Sequence, residues 1–241
     1  ETRRGPVPVG HLHPGGTAWA FDTTGRLVTN AHVVTAAQDI AETHAPHLEL
    51  VAVQNETGKT FRITDVAVHP KAVDPKTDAY RVSDVALLTL DGSVPVVFPL
   101  APAAAVRKLA PGASVFSMGF PIEHLGPMRN FYGYDTPDRV VATLRHGYVQ
   151  RVTGADGRRA PAAEQRLIHV GIAATGGQSG SPVFTPDGRV VCMLNAVAHY
   201  QLGPRSRKVP HPGMFTYAVR IDALWDMLEG EDASADAPAA E

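Results

Sequence analysis

Apolar residues along this chain come in short runs rich in Val, Ile, Thr and Phe, cut by Gly, Pro, Asp and Asn. The runs fall at residues 17–21, 27–30, 48–53, 61–68 and 85–90, then at 114–120, 140–152 and 167–172, and last at 183–185, 190–196 and 215–219. Runs of this length, joined by turn residues and without long amphipathic helices between them, predict an all-β protein built as barrels or a sandwich. The Ala- and Pro-rich stretch 99–111 is predicted to join two halves. One helix is predicted at 221–228, where Ile221, Leu224, Trp225 and Leu228 fall at i, i+3, i+4 and i+7 and Gly230 serves as a stop. Its apolar stripe should dock onto a barrel, with Trp225 as packing. Two stretches break the pattern. Residues 122–139 carry Gly126, Pro127, Gly133 and Pro137 among Phe131, Tyr132 and Tyr134, and residues 199–213 carry Gly203, Pro204 and Pro210 beside Arg205, Arg207 and Lys208. Both lack strand character and are long for structureless loops, so each is either a functional surface loop or disordered.

Composition narrows the class. A chain of 241 residues can fold as one large domain or two compact halves. With 44% hydrophobic and 19% charged residues it reads as a folded globular protein. A net charge of −2 without a dense Lys/Arg block gives no electrostatic case for nucleic acid. No apolar run is long enough to span a bilayer, so no membrane span is expected. The single cysteine, Cys192, excludes an intramolecular disulfide framework and sits in an apolar run as a small core residue. The chain opens Glu1-Thr2-Arg3-Arg4 without a signal peptide, as a mature or trimmed protein would. Residues 229–241 are acidic and Ala-rich and read as a flexible tail or a linker towards an additional domain. The compartment stays open, with a secreted or periplasmic place favoured over a module of a larger intracellular protein.

Chemistry enters at residues 175–182, Thr-Gly-Gly-Gln-Ser-Gly-Ser-Pro, a tight loop that feeds a hairpin. A serine on such a loop can be exposed while glycine amides point into a cavity, which is what a nucleophile with an oxyanion hole needs. A base is available at His32, just past the strand end of Thr29-Asn30-Ala31-His32-Val33-Val34. Asp84 opens the apolar strand Ser83-Asp84-Val85-Ala86-Leu87-Leu88. A carboxylate there is costly to bury unless paired, and an imidazole N–H is a suitable partner.

These three blocks resemble the signature blocks of chymotrypsin-fold serine proteases, in the chymotrypsin order His, Asp, Ser. The first block is similar to bacterial HtrA-like proteases and the third to bacterial glutamyl endopeptidases; the resemblance covers roughly residues 10–228. It implies a single protease domain at 1–228, all-β, made of two six-stranded antiparallel barrels at 7–105 and 112–219 with the C-terminal helix at 221–228. It also implies Ser179 as nucleophile, His32 as general base then acid, and Asp84 as the group that orients His32. Gly177 and Ser179 N–H groups would form the oxyanion hole. Cleavage would need no cofactor and no metal, and the partner would be a polypeptide substrate.

The resemblance further places Ile172, Ala173, Ala174 and Thr175 along one wall of the primary specificity pocket, counts Gln178 among the substrate-binding residues, and makes Leu194, Asn195, Ala196 and Val197 the opposite edge that pairs with an extended substrate. No Asp stands in the first wall, which argues against Arg or Lys selection. Asn195 stands where glutamyl endopeptidases place a histidine, which argues against Glu. The expectation is cleavage after small or medium uncharged residues. Gln178 replaces the Asp or Asn that usually precedes the nucleophile, so trypsin-style activation is not expected. An inactive or latent protease fold that binds peptides, or awaits an activating partner, is the alternative. Among the other histidines, His11, His13, His44 and His47 lie in proline-marked loops without Cys or a carboxylate at metal-binding spacing, His69 is expected at the surface, and His169, on the strand before the nucleophile loop, is expected to be structural.

Overall fold

The computed structural model describes residues 15–44, 50–72, 82–121, 141–197, 199–201, 208–210 and 216–235. Strand β1 (Trp19–Ala20) turns into β2 (Arg26–Thr29) around Asp22. The Asp22 carboxylate accepts the Thr24 N–H at 2.9 Å and the Arg26 Nε–H at 2.6 Å, so one short acid closes the hairpin. Helix α1 (Ala31–His44) follows β2 at once. Strands β3 (Val51–Val53), β4 (Thr60–Val68) and β5 (Ala86–Leu90) complete an antiparallel sheet in the order β1-β2-β5-β4-β3.

The connector carries a short helix, α2 (Ala103–Arg107), and is fastened to the second half by the Ala101 N–H donating to the Val190 carbonyl at 2.9 Å. Then come β6 (Ser114–Gly119), β7 (Thr143–Gly154), β8 (Gln165–Val170), β9 (Pro182–Phe184) and β10 (Val190–Val197). A small hairpin, β11 (His199–Gln201) with β12 (Lys208–Pro210), precedes β13 (Thr216–Arg220). Six strands close into a barrel in the order β10-β13-β8-β7-β6-β9. Helix α3 (Asp222–Ala235) ends the described chain.

Alternation builds the barrel. In β6, Val115, Ser117 and Gly119 are buried while the residues between them are not, the period-2 signature of a strand with one covered face. Strand β10 is buried at every residue from Val190 to Asn195, because the barrel interior covers one face and other elements the second. One core joins the halves. It runs from Trp19, Val28 and Val85 of the first, through Ile168, Leu194 and Ala218 of the barrel, to Ile221 and Leu224 at α3. A second cluster, with Leu27, Phe61, Leu88 and Leu90, takes in Ala31 and Val34 of α1. At about 1.5–3 kcal/mol per large buried side chain, this shared core holds the two halves against each other.

The double-barrel architecture is as the sequence implies, with corrections. The first half is a five-stranded half-barrel sheet among the described residues, and only the second is a closed six-stranded barrel. Helix α1 was not expected; His32 lies in its first turn. Helix α3 runs past Leu228 and Gly230 to Ala235, into the stretch read as tail. Part of 199–213 is a paired hairpin, whereas 122–140 lies outside the described residues. Arg220, 2% exposed, donates to the Gln165 carbonyl at 2.5 Å and to Asp222 Oδ2 at 2.7 Å, fastening α3 to β8 and β13. Asp222 sits in the first turn of α3, where a carboxylate suits the helix dipole. No helix of the described residues is long and apolar enough to cross a membrane.

Candidate active site

A helix N-terminus leaves its first N–H groups without intrahelical partners, and a carboxylate is the natural acceptor. Asp84 meets that need for α1 from a distant part of the chain. Its Oδ1 accepts the His32 backbone N–H at 2.8 Å, and its Oδ2 meets His32 Nδ1 at 2.5 Å. One buried carboxylate, 4% exposed, thus fixes both the main chain and the ring of His32. A third contact fixes the acid's own segment: Asn30, fully buried, donates from Nδ2 to the Asp84 carbonyl at 2.8 Å. The His32 ring, with Nδ1 engaged, keeps its side chain 30% exposed for chemistry at Nε2.

The serine loop is held from several sides. The Gln178 N–H donates to the Thr175 carbonyl at 3.2 Å, and the Thr175 N–H donates back to Gln178 Oε1 at 3.0 Å. This tight turn needs Gly177, whose φ is +86°. Gly180, at φ +87°, brings its backbone against the first half; a Cβ there would lie 2.1 Å from the Thr17 carbonyl oxygen. Its N–H donates to the Leu194 carbonyl at 2.9 Å, and the Ser181 N–H to the Gln178 carbonyl at 3.0 Å. The N–H groups of Gly177 and Ser179 meet no acceptor among the described residues. Two such amides flanking a serine can receive an oxyanion.

Ser179 Oγ donates to the Asn195 carbonyl at 3.3 Å, and no hydrogen bond joins it to His32 Nε2. The two elements nevertheless meet at Gly16, where a Cβ would fall 2.8 Å from Val33 Cγ2 and 3.0 Å from the Ser179 carbonyl oxygen. Nucleophile–base bonds are often long before substrate binds.

The expected pocket residues divide. Ala173 and Ala174 are half-buried and Thr175 is exposed. Gln178, expected to bind substrate, is instead fully buried, with its side chain folded back onto its own turn. Leu194 is not an edge residue either; its side chain is in the core, and its N–H and carbonyl are taken by Ser181 and Gly180. Asn195 is buried at 3% exposure and offers its carbonyl to Ser179. Ala196 and Val197 pair with Tyr217 and Thr216 of β13, while β9 accompanies β10 only as far as Met193.

Two residues that the sequence did not single out belong to this region. Arg145 of β7 donates to the Ala173 carbonyl, bringing a positive charge to the wall. Thr17 reaches the serine loop from the first half: its Oγ1 donates to the Gly177 carbonyl at 2.9 Å. Among the histidines, His69 is buried rather than at the surface, its Nδ1 accepting the Lys71 N–H at 3.1 Å. His169 is half-buried on the outer face of the barrel, edge-on to Tyr217 at 5.0 Å, and with Gln150, Arg151 and Tyr217 it lines a hollow of about 400 Å³. Burial, and then the nearby Arg151 charge, hold its imidazole below the ordinary value. Burial pushes the Cys192 thiol well above the ordinary range, which keeps it inert. His11, His13 and His47, and the His44 side chain, lie outside the described residues.

Residues 16–193 match the family model of the trypsin-like peptidase domain. No curated protein matches the chain. Among solved structures, an "HtrA-type protease AlgW with decapeptide" matches with a TM-score of 0.56 at 16% identity, over 89% of this chain and 50% of that one. The chain therefore spans about half the length of that protein, and at this identity the likeness is one of fold.

Proposed function

Because the chain belongs to the trypsin-like peptidase family, we propose that it is a serine endopeptidase working through an acyl-enzyme. The observation that carries this reading is the pairing of the Asp84–His32 clamp with a serine loop whose Gly177 and Ser179 amides have no acceptor among the described residues. Ser179 Oγ attacks the carbonyl carbon of the scissile peptide bond while His32 Nε2 takes its proton. The carbonyl oxygen becomes an oxyanion between the N–H groups of Gly177 and Ser179. On collapse the C–N bond breaks, and His32 returns the proton to the leaving amine. Water then attacks the ester by the same route, its proton passing through His32, and releases the acid and Ser179. Asp84 holds the imidazole with Nε2 towards the reaction.

An extended peptide is the substrate form this geometry suits. Ala196 and Val197, held by β13 on one side, offer main chain for strand pairing. A wall of Ala173, Ala174 and Thr175 takes small or medium uncharged side chains, and Arg145 beside it disfavours Lys and Arg. A peptide-library digest should show that preference; dominant cleavage after Lys, Arg or Glu overturns it.

The bond from Ser179 Oγ to Asn195 favours a second reading, a latent module that an activating partner aligns. A fluorophosphonate probe separates the two. Purified protein should label without additives, and Ser179→Ala should not label at all while keeping its melting temperature. Protein that labels only with a partner supports latency. Protein that never labels removes the peptidase reading.

A further inference from the structure

Thr17 is a buried threonine that makes polar contacts in four directions. At 2% exposure it sits where the two halves meet. Its Oγ1 donates to the Gly177 carbonyl at 2.9 Å and accepts the Phe120 N–H at 3.1 Å. Its N–H donates to the Ser179 carbonyl at 2.8 Å, and its own carbonyl accepts Thr29 Oγ1–H at 2.8 Å. Both residues whose amides form the candidate oxyanion hole therefore have their carbonyls held by one residue from the other half of the molecule. From Thr29 the chain passes to Asn30, which holds the Asp84 carbonyl, and Asp84 holds His32. A continuous path of buried and partly buried hydrogen bonds and one covalent step joins the serine loop to the base and acid.

We propose that Thr17 is a positioning residue for the oxyanion hole, acting through the Gly177 carbonyl. Gly177 is a conformationally free position in the loop, since glycine at φ +86° can leave that state without a side-chain penalty. Rotation at Gly177 would turn its N–H away from the cleft. Gln178 restrains the turn on one side through its own side chain. The Thr17 hydroxyl restrains it on the other by pinning the carbonyl that follows. A hydroxyl is required because the same oxygen must donate to one backbone group and accept from another.

The catalytic arm of the test rests on the serine-peptidase reading; the structural arm does not. Thr17→Val keeps the branched shape and removes the hydroxyl, whereas Thr17→Ser keeps the hydroxyl. For fluorophosphonate labelling, Thr17→Val should lower the saturating rate by about 10–100-fold, the scale set by misplacing a catalytic group. The probe concentration at half saturation should stay near that of the wild type, and Thr17→Ser should restore most of the rate. Equal rates for Thr17→Val and wild type overturn the proposal, as does a loss in Thr17→Ser as large as that in Thr17→Val. Amide hydrogen exchange reads the loop without catalysis. The Gln178 and Gly180 amides should exchange faster in Thr17→Val than in wild type and Thr17→Ser, with the β8 amides unchanged. Unchanged exchange at Gln178 and Gly180 overturns the proposal even if the protein never labels; an increase spread equally over β8 assigns Thr17 to general stability and overturns it too.

Discussion

Strand β10 is buried at each residue from Val190 to Asn195, whereas β3 is only half-buried at all three of its residues and β4 alternates through exposed positions. The first half can tolerate this looser sheet because its task is narrow. It presents one imidazole and one carboxylate, and these lock each other at the start of a 14-residue helix. The second half must aim backbone amides, which no side chain can carry. It does so from a closed barrel, with Gly180 and Ser181 tied to Leu194 of its most buried strand. Side-chain catalysis needs a local clamp, and backbone catalysis needs a rigid frame around the loop.

The largest test of that contrast acts on the clamp. Asp84→Asn should lower turnover by about 10⁴-fold, because the amide no longer holds His32 in the productive tautomer. Its melting temperature should change little, since an amide oxygen can still accept the His32 N–H; a rate loss below tenfold would break the clamp account. Next comes the frame. Ile168→Ala in the barrel core should cost about 2–5 kcal/mol by denaturant unfolding. Ile63→Ala in half-buried β4 should cost roughly 1–2 kcal/mol. Equal costs would mean that the two halves do not differ in rigidity. The smallest effect is one of pH. The His169 imidazole is held below its ordinary value in the folded state, so the unfolded chain binds the proton first as pH falls. Stability should therefore be full above about pH 6.5 and decline below it, and His169→Gln should flatten that slope in melting curves.

The candidate catalytic residues stand out in the sequence because each is marked locally. Gly177 and Gly180 flank a serine in a turn, and Asp84 opens an apolar strand where an unpaired acid would not survive. Helix α1 was hidden by its own beginning: Val33, Val34 and Thr35 are β-branched, and no acid stands in its first turn. The carboxylate that satisfies its N-terminus comes from Asp84, 52 positions away, which no local rule can see. The extension of α3 past Gly230 was hidden by a residue that costs a helix only about 1 kcal/mol, a weak stop among Ala, Glu and Asp. Gln178 read as a substrate-binding residue because it follows the expected pocket wall in sequence. Its burial depends on a side chain that closes its own turn, and that geometry is set by Gly177. Thr17 carried no signal at all, as the residues it holds, Gly177, Ser179 and Phe120, lie in the other half.

The bond from Thr17 to Gly177 spans 160 positions of chain, and it has a consequence in time. Contacts so far apart in sequence form late in folding, after the local hairpins and helices. A chain that has left the ribosome only through its first half holds a base and an acid with no serine to activate. The second half alone holds a serine loop whose Gly177 and Ser179 carbonyls have nothing to pin them. On the proposed reading the hydrolytic site would be complete only once the two halves have docked, and neither half alone would hold it.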